Sequence, residues 1–522
     1  MQVRISSQRS SSLRARARAA FVLLAFSALP LTTHAGVATA HITMPPQGTH
    51  GFPFSSSSLD LNQFGYVEQE FLISGTAQAY HSNAPLLADG RWDSQANPGA
   101  VSSYTTRILV RRPSNPSRFN GTVLVEWFNV SGGADGTPDW GFAHREMVRE
   151  GYAYVGVSAQ FIGVQALQAW ESGPNARYQS VFHPGDSFSY DIYGQAGLAV
   201  TAPCAGCPKP LGSLTGRVRA VIAIGESQSA GRLHTYVNAI HPLHRLYQGF
   251  LLHSDLAAAP LSQSFAAQST TLIPPPTGVP ATPDQFAAPV ALVRSDLPNP
   301  VHVLQSETDV QFAVGLHAQP DTSKFRLWEL TGTAHGDQYL LAQTAADATK
   351  SGIDISSITN CGDPPINRGP HTYGVRAAVF SLNRWVRYGI APPIAPRIAT
   401  ATPGVVTRDP TTGLALGGIR LPQIAVPIET LTGQRPAAAV SANFFCLLFG
   451  ASDGWSHNPD SYDLNPALDP QLVEPNLFAL YPTHRSYVRR VAEAALKSAA
   501  AGFLRPRDLL EIIIDAERAD VP

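Results

Sequence analysis

The chain has 522 residues, of which 44% are hydrophobic and 14% are charged, and its formal net charge is -1. This apolar content excludes a disordered chain, and the length is sufficient to bury a large core in one elaborated domain or in two domains. The near-zero net charge provides no electrostatic basis for binding nucleic acid, so we expect no nucleic-acid partner.

The N-terminus has the three-part pattern of an export signal. Five arginines and no acidic residue lie within the first 18 residues, and an apolar run of 13 residues follows at 19–31. This run is too short to span a bilayer, and small-residue cleavage patterns follow it. We therefore expect residues 1–35 to be a signal peptide and residues 36–522 to form a single exported domain, periplasmic or secreted. No later run is long enough to predict a membrane span.

Short β-branched runs alternate with helical stretches in the first half of the chain. Strands are predicted at residues 104–111, 121–128, 152–158, 218–224 and 249–253, with helices at 142–150, 190–201 and 228–240. This alternation predicts an α/β fold with a mostly parallel central sheet and helices on both faces.

An irregular segment interrupts this pattern. Residues 256–300 are rich in Ala, Pro, Ser and Gln, and we interpret them as a lid-like insertion, because long irregular segments inside a domain are usually functional. Strands resume at 301–305 and 325–330, and a helix is predicted at 373–388. Residues 389–470 are punctuated by proline and predict a loop-rich extension. Two helices at 485–500 and 507–519 complete the chain.

The most informative motif lies between the strand at 218–224 and the helix that follows it. Gly225-Glu226-Ser227-Gln228-Ser229 has small residues two positions before and after Ser227. Such residues permit a sharp strand-to-helix turn, which presents the serine hydroxyl as a nucleophile at the positive end of the helix. Here the second small residue is Ser229 rather than glycine. The alternative interpretation is an ordinary serine at a helix N-cap.

A serine nucleophile needs a general base and an acid that orients this base. In this architecture the acid and then the histidine follow the serine along the chain. His335, in a glycine-containing loop after the strand at 325–330, is the expected base. Asp309, after the strand at 301–305, is the preferred acid. Glu307 and then Asp255 are the alternatives.

Negative charge that develops on a substrate carbonyl oxygen needs two convergent backbone donors. The N–H group of Gln228, which follows the serine, is one expected donor of this oxyanion hole. We expect the second donor to be Val130 or Ser131, in a glycine-rich loop after the strand at 121–128. The alternative is that this loop is an ordinary turn.

Four cysteines fit an exported protein, because disulfides persist outside the cytoplasm. Of the three possible pairings we expect Cys204–Cys207 and Cys361–Cys446, since a local pair closes easily and leaves the distant pair together. A redox-active or zinc-binding pair is disfavoured, because Cys204 and Cys207 lie in a proline-bounded loop without further ligands. The sequence implies no metal and no cofactor, as it contains no GxGxxG, P-loop or HExxH motif.

Together these motifs resemble the α/β-hydrolase superfamily, and within it a group of exported bacterial α/β-hydrolase domain proteins. The resemblance extends from about residue 59 to the C-terminus, and four segments carry it: 125–133 (VEWFNVSGG), 225–231 (GESQSAG), 306–309 (SETD) and 332–335 (GTAH). It implies a sheet of the eight-stranded type within one catalytic domain. It also implies a triad of Ser227, His335 and either Asp309 or Glu307.

The leading hypothesis is an exported serine hydrolase that cleaves a carboxylic ester, of a small molecule or a polymer, through an acyl-enzyme intermediate. An amidase, a lactonase or an acyltransferase would use the same triad. A non-catalytic binding protein on a hydrolase fold is a hypothesis of another class, and the intact order of serine, acid and histidine argues against it. The candidates for lining the substrate pocket, with burial in the core as the favoured alternative, are Trp127, Phe128, Phe444 and Phe445. The sequence makes no prediction of oligomeric state.

Overall fold

The computed structural model describes residues 36–84, 86–256, 258, 291–435, 443–456, 464–465, 469–473 and 475–522. The predicted signal peptide at 1–35 lies outside these ranges, and so does most of the predicted lid-like insertion. Ala35–Pro522 form one compact unit. In the described part of the chain, no helix combines the length and the apolar character needed to cross a bilayer.

A mostly parallel sheet forms the centre of the fold. Its strands within the described residues are β1 (His41–Thr43), β2 (Tyr66–Ser82), β3 (Ser94–Pro113), β4 (Thr122–Trp127), β5 (Ala153–Val157), β6 (Ala220–Glu226), β7 (Gly249–His253), β8 (Val301–Ser306) and β9 (Phe325–Leu330). Their spatial order is β1-β2-β3-β5-β4-β6-β7-β8-β9. Neighbours from β5 to β9 pair parallel, whereas β1, β2, β3 and β5 pair antiparallel. The described sheet thus has nine strands rather than the eight that the resemblance implies.

Helices cover both faces of this sheet, as the alternating sequence pattern predicts. In chain order the described helices are α1 (Pro138–Glu150), α2 (Phe161–Trp170), α3 (Ser189–Thr201), α4 (Gln228–Thr235), α5 (His241–His244), α6 (Glu307–Val310), α7 (Val314–His317), α8 (Gln338–Lys350), α9 (Ser356–Thr359), α10 (His371–Tyr388), α11 (Pro422–Ala425), α12 (Leu477–Leu480), α13 (His484–Ala500) and α14 (Leu509–Arg518). The predicted helix at 228–240 is α-helical only to Thr235 and continues as a π-helical turn over Tyr236–Ile240.

Burial explains why the central strands have apolar sequences. Strands β4 to β9 are buried at every position. Successive residues of a strand point to opposite faces. Accordingly, Val123 and Val125 of β4 pack in one core with Tyr193 of α3, while Leu124 packs in a second core with Trp140 of α1. A parallel sheet covered on both faces needs continuous hydrophobic runs, and these runs are what made the strands recognisable.

The C-terminal third is built from short elements around the sheet. Two-stranded ribbons form from β10 (Thr400–Thr402) with β11 (Val405–Val406), and from β12 (Glu429–Thr432) with β13 (Ala451–Gly454). A third ribbon pairs β14 (Leu464–Asn465) with β15 (Asp469–Val473). The first two ribbons lie in the segment at 389–470 that the sequence predicts to be loop-rich, and the third extends three residues beyond it.

The structure joins the cysteines in two disulfides. Cys204 pairs with Cys207, with the Cα atoms 5.3 Å apart, and closes a short loop after α3. Cys361 pairs with Cys446, with the Cα atoms 5.6 Å apart, and joins the segment after α9 to the segment before β13. Both pairs correspond to the expected connectivity.

Candidate active site

Ser227 lies in the sharp turn between β6 and α4. Its φ is 60° and its ψ is -121°, a conformation that is costly for a residue with a side chain and that turns the hydroxyl away from the sheet. Gly225 permits the close approach of strand and helix, because a Cβ atom there would lie 3.2 Å from the backbone of Ser229. The Ser229 hydroxyl donates to the carbonyl of Glu226 at 2.7 Å and accepts from its N–H at 3.1 Å. Ser229 thereby stabilises the turn in place of a second glycine.

Three side chains from separate strand ends form a hydrogen-bonded line. The Nε2 atom of His335 is 2.7 Å from Ser227 Oγ, and its Nδ1 atom is 2.6 Å from Asp309 Oδ1. With Nδ1–H donating to the carboxylate, Nε2 accepts from the serine hydroxyl. Ser227 is 8% exposed and His335 is 4% exposed, and Asp309 is fully buried. This arrangement allows proton transfer between Ser227 and His335.

The surroundings of Asp309 keep its carboxyl group ionised. Burial raises its pKa, but the neighbouring His335 and the N–H of Ser306, which donates to Oδ2 at 2.6 Å, lower the pKa below its usual value. A reciprocal hydrogen bond completes the cap of α6, because the Ser306 hydroxyl accepts from the N–H of Asp309. The helix cap thus fixes the direction of the carboxylate toward His335.

The other two candidate acids have different partners. The carboxylate of Glu307 accepts from Arg408 Nη2 and from the N–H of Gly332, both at 2.8 Å. The carboxylate of Asp255 is 2.8 Å from His234 Nδ1. Of the three acids named from the sequence, Asp309 is therefore the one that hydrogen-bonds to His335.

A second carboxylate, from Glu226, also contacts His335. Its Oε1 atom is 3.3 Å from His335 Nε2, and its Oε2 atom accepts from Asn129 Nδ2 at 3.3 Å. Burial raises the pKa of Glu226, and a protonated His335 opposes this shift. Burial would lower the pKa of His335, but Asp309 and Glu226 raise it above its ordinary value. This contact is not predictable from the motif, because Glu226 occupies a position that the motif leaves unspecified.

The expected oxyanion donors lie together beside Ser227. The N–H of Val130 donates to the side-chain Oε1 of Gln228 at 3.4 Å. The Gln228 side chain is held there by its Nε2 atom, which donates to Gln160 Oε1 at 2.8 Å. The N–H of Ser131 donates to Asn129 Oδ1 at 2.8 Å. The N–H of Val130 thus makes a long hydrogen bond to a side chain, whereas the N–H of Ser131 makes a shorter one within its own turn.

A cavity of about 240 Å³ opens on Ser227 and His335. None of the described residues that line it is a lysine or an arginine. Phe445 lines it, Trp127 and Phe128 are buried in the core, and the Phe444 side chain lies outside the described residues. The cavity is mainly apolar, and its large aliphatic and aromatic lining residues include Leu340, Leu341, Ile353, Ile355, Ile358, Leu448 and Phe449. Within the described ranges, no group of three or more His, Cys, Asp and Glu side chains is arranged to hold a metal ion.

Comparison with known proteins identifies the family. The family model described as "Alpha/beta hydrolase domain" matches residues 42–513. A search of curated proteins gave no match. Similar solved structures include an arylesterase, with 10% identity over 48% of this chain and 81% of that chain and a TM-score of 0.26. An esterase from Rhizomucor miehei has 12% identity over 57% of this chain and 88% of that chain, with a TM-score of 0.25.

A third structure, Est1E from Butyrivibrio proteoclasticus with bound ferulic acid, has 13% identity over 47% of this chain and 94% of that chain, with a TM-score of 0.28. The family match covers most of the chain, and the mostly parallel sheet agrees with it. The chain belongs to the alpha/beta hydrolase domain family.

Proposed function

We propose that this protein is an exported serine hydrolase that cleaves carboxylic esters through an acyl-enzyme intermediate. One observation carries the proposal: a continuous hydrogen-bonded line from Ser227 through His335 to Asp309 lies at the end of an apolar cavity. A serine hydroxyl is a weak nucleophile unless a base accepts its proton, and this line supplies that base and an ionised group that orients it.

The reaction has two halves. In the first half, Ser227 Oγ attacks the ester carbonyl carbon while His335 Nε2 takes the hydroxyl proton. His335 then gives this proton to the departing alcohol oxygen, and the acyl group stays on Ser227. In the second half, His335 takes a proton from water, which attacks the acyl carbon. The proton returns to Ser227 as the carboxylic acid leaves. Asp309 stays ionised and stabilises the imidazolium in both halves.

We assign the oxyanion hole to the N–H groups of Gln228 and Val130. The substrate carbonyl oxygen takes the place of the Gln228 Oε1 atom, which is only 3.4 Å from the Val130 nitrogen. Of the two loop donors considered, Val130 is preferred, because the N–H of Ser131 already donates at 2.8 Å to Asn129. Two backbone donors directed at the developing charge are the usual source of the largest rate gain in such sites.

The test compares Ser227→Ala with the unchanged protein. Both are treated with a fluorophosphonate probe and with p-nitrophenyl esters of increasing acyl length, alongside a p-nitroanilide of matched acyl group. We expect labelling to disappear and kcat on esters to fall by about 10⁴-fold or more. Ser103→Ala, an exposed serine on β3, is the matched control and should be unaffected. Labelling and turnover that persist in Ser227→Ala would refute the nucleophile, and a preference for the anilide would indicate an amidase.

Export is tested separately, by the mass of the protein recovered outside the cytoplasm. The apolar run at residues 19–31 and the two disulfides support it. We expect the recovered chain to lack residues 1–35 and to contain no free thiol. A full-length chain with free thiols in the cytoplasm would contradict this part of the proposal.

A further inference from the structure

A second carboxylate–histidine arrangement is hydrogen-bonded to the backbone next to His335. Asp139 Oδ1, at the start of α1, is 2.8 Å from His253 Nδ1 at the end of β7. His253 Nε2 is 2.9 Å from His371 Nε2, at the start of α10. His371 Nδ1 is 2.8 Å from the carbonyl oxygen of Ala334. All three side chains are fully buried, and Ala334 directly precedes His335.

The number of hydrogens in this chain of contacts determines the charge of Asp139. A carbonyl oxygen only accepts, so His371 donates Nδ1–H to Ala334. A neutral His371 then presents Nε2 as an acceptor, and His253 must donate Nε2–H to it. A neutral His253 is left with an unprotonated Nδ1, so the hydrogen of the remaining contact must come from the carboxyl group of Asp139. Three contacts need three hydrogens, and two neutral histidines bring only two.

An ion pair of Asp139 with an imidazolium at His253 would contain the same number of hydrogens. Burial argues against it, because it lowers the pKa of His253 to about 3 and raises that of Asp139 to about 8. The carboxylate–histidine contacts of Asp139 and Asp309 also differ in their partners. Asp309 receives a backbone N–H on its second oxygen, whereas Oδ2 of Asp139 has no hydrogen-bond partner among the described residues. An ionised carboxylate in such a place would lack stabilising donors.

The buried cation packed against the start of α1, Arg111 of β3, lies over the Trp140 ring and pairs with Glu68 at 2.8 Å. Glu126 accepts from the N–H of Asp139 at 3.0 Å and from Tyr154 Oη at 2.7 Å. Arg376 of α10 is directed to Asp508, at 3.3 Å, and Asp337 caps α8. The groups whose pKa Asp139 raises include the acidic Glu126 and Glu226 and the phenolic Tyr154 and Tyr193. The neutral acid is therefore the form that this environment favours.

We propose that Asp139 is held as a neutral carboxylic acid and that, through His253 and His371, it positions the loop that carries His335. This role rests on the proposed function, in which His335 is the general base. The contact chain fixes the carbonyl of Ala334, and the backbone position of the next residue determines whether His335 Nε2 reaches Ser227. Asp139, His253 and His371 are positioning residues, because their hydrogen bonds lead to the backbone before His335 rather than to its imidazole or to Ser227.

Ionisation of Asp139 would disturb this loop. After losing its proton, Asp139 accepts Nδ1–H from His253, and His253 Nε2 becomes an acceptor. His371 must then move its own hydrogen to Nε2 to keep the contact between the histidines, and its Nδ1 atom can no longer donate to Ala334. Removal of one proton at Asp139 thereby removes the hydrogen bond next to His335. We expect kcat to decrease as pH rises through the pKa of Asp139, which is about 8.

The test uses two variants of similar size in the full protein, Asp139→Asn and Asp139→Leu. An asparagine N–H donates to His253 Nδ1 as the neutral acid does, so we expect kcat within about 3-fold of the parent and an alkaline limb moved to higher pH. Leucine removes the donor, and we expect kcat to fall about 10- to 100-fold with a smaller change in KM. Equal losses in both variants, or an unchanged alkaline limb in Asp139→Asn, would overturn the proposal.

An infrared difference spectrum tests the proton without reference to activity. The parent protein at pH 6 should show a carboxylic-acid C=O band that is missing in Asp139→Asn, and an absent band would overturn the neutral acid. The unfolding midpoints of both variants distinguish misfolding from displacement of the loop that carries His335. If Ser227→Ala left esterase activity intact, the proposed function would fail and with it the positioning role. The infrared band would still decide the state of Asp139.

Discussion

The contact between Glu226 and His335 leads to a quantitative prediction for Glu226→Gln. Glutamine keeps the size of the side chain and its bond to Asn129 but removes the charge 3.3 Å from His335 Nε2. An anionic neighbour favours the imidazolium, so its removal lowers the pKa of His335. General-base catalysis needs the neutral imidazole, and the acidic limb of kcat/KM should therefore move to lower pH.

The distance sets the size of this shift. Coulomb's law at 3.3 Å gives about 1.3 kcal/mol with the dielectric constant of water and about 5 kcal/mol with an effective constant of 20. One pH unit corresponds to about 1.36 kcal/mol. The cost of ionising a buried carboxyl group offsets part of the attraction, and we expect a shift of about one to two pH units. Because burial raises the pKa of Glu226 to about 8, the effect should be largest between that pH and the parent midpoint, where Glu226 is ionised and kcat/KM of the variant should be up to about tenfold higher.

The assay is kcat/KM on one neutral ester from pH 5 to pH 10, at constant ionic strength. Glu517→Gln, an exposed glutamate on α14, is the control for the loss of one negative charge. A midpoint that stays within about 0.3 units of the parent in Glu226→Gln, with activity retained, would show that Glu226 does not affect the protonation of His335. A midpoint at higher pH in Glu226→Gln would refute the prediction that Glu226 raises the pKa of His335.

Three further predictions concern the acid, the disulfide and the cavity. Asp309→Asn should lower kcat by about 10⁴-fold, because the imidazole loses its orienting anion. Glu307→Gln should chiefly lower the free energy of unfolding. Steady-state kinetics and urea denaturation distinguish the two outcomes. Replacing Cys361 and Cys446 together by serine should lower the free energy of unfolding by about 2–5 kcal/mol, measured by urea denaturation, since the closed loop is long; an unchanged midpoint would contradict this. Leu448→Trp should reduce activity on long acyl esters and spare acetate in the p-nitrophenyl series, and an equal effect on all lengths would argue that the acyl group lies elsewhere.

The mostly parallel α/β fold was predictable because each central strand is a short aliphatic run between turn residues. Strand β6 shows this most clearly, since all of its positions are buried. Strand β2, of 17 residues, escaped prediction, because half-buried polar residues interrupt its apolar pattern and its stability comes from pairing with β3. Helices α2 and α8 were missed for a related reason: each buries only a few residues.

Strand ends and chain order were sufficient to predict the main residues of the candidate site. Ser227 and His335 follow strands in the expected sequence, and this order singled them out. The orientation of a side chain within a turn is not contained in such a pattern, so the sequence left Asp309 and Glu307 as alternatives, which the cap of α6 distinguishes. Contacts across long separations, such as Asp139 with His253, 114 residues apart, depend on the packing of α1 against the sheet.

The disulfide between Cys361 and Cys446 has a consequence for when the cavity wall becomes fully stabilised. It joins a loop to the segment that contributes Phe445 and Leu448 to the cavity wall. Thiols stay reduced in the cytoplasm and are oxidised outside it. With the proposed export, this part of the cavity wall would gain its covalent link only after the chain has left the cytoplasm.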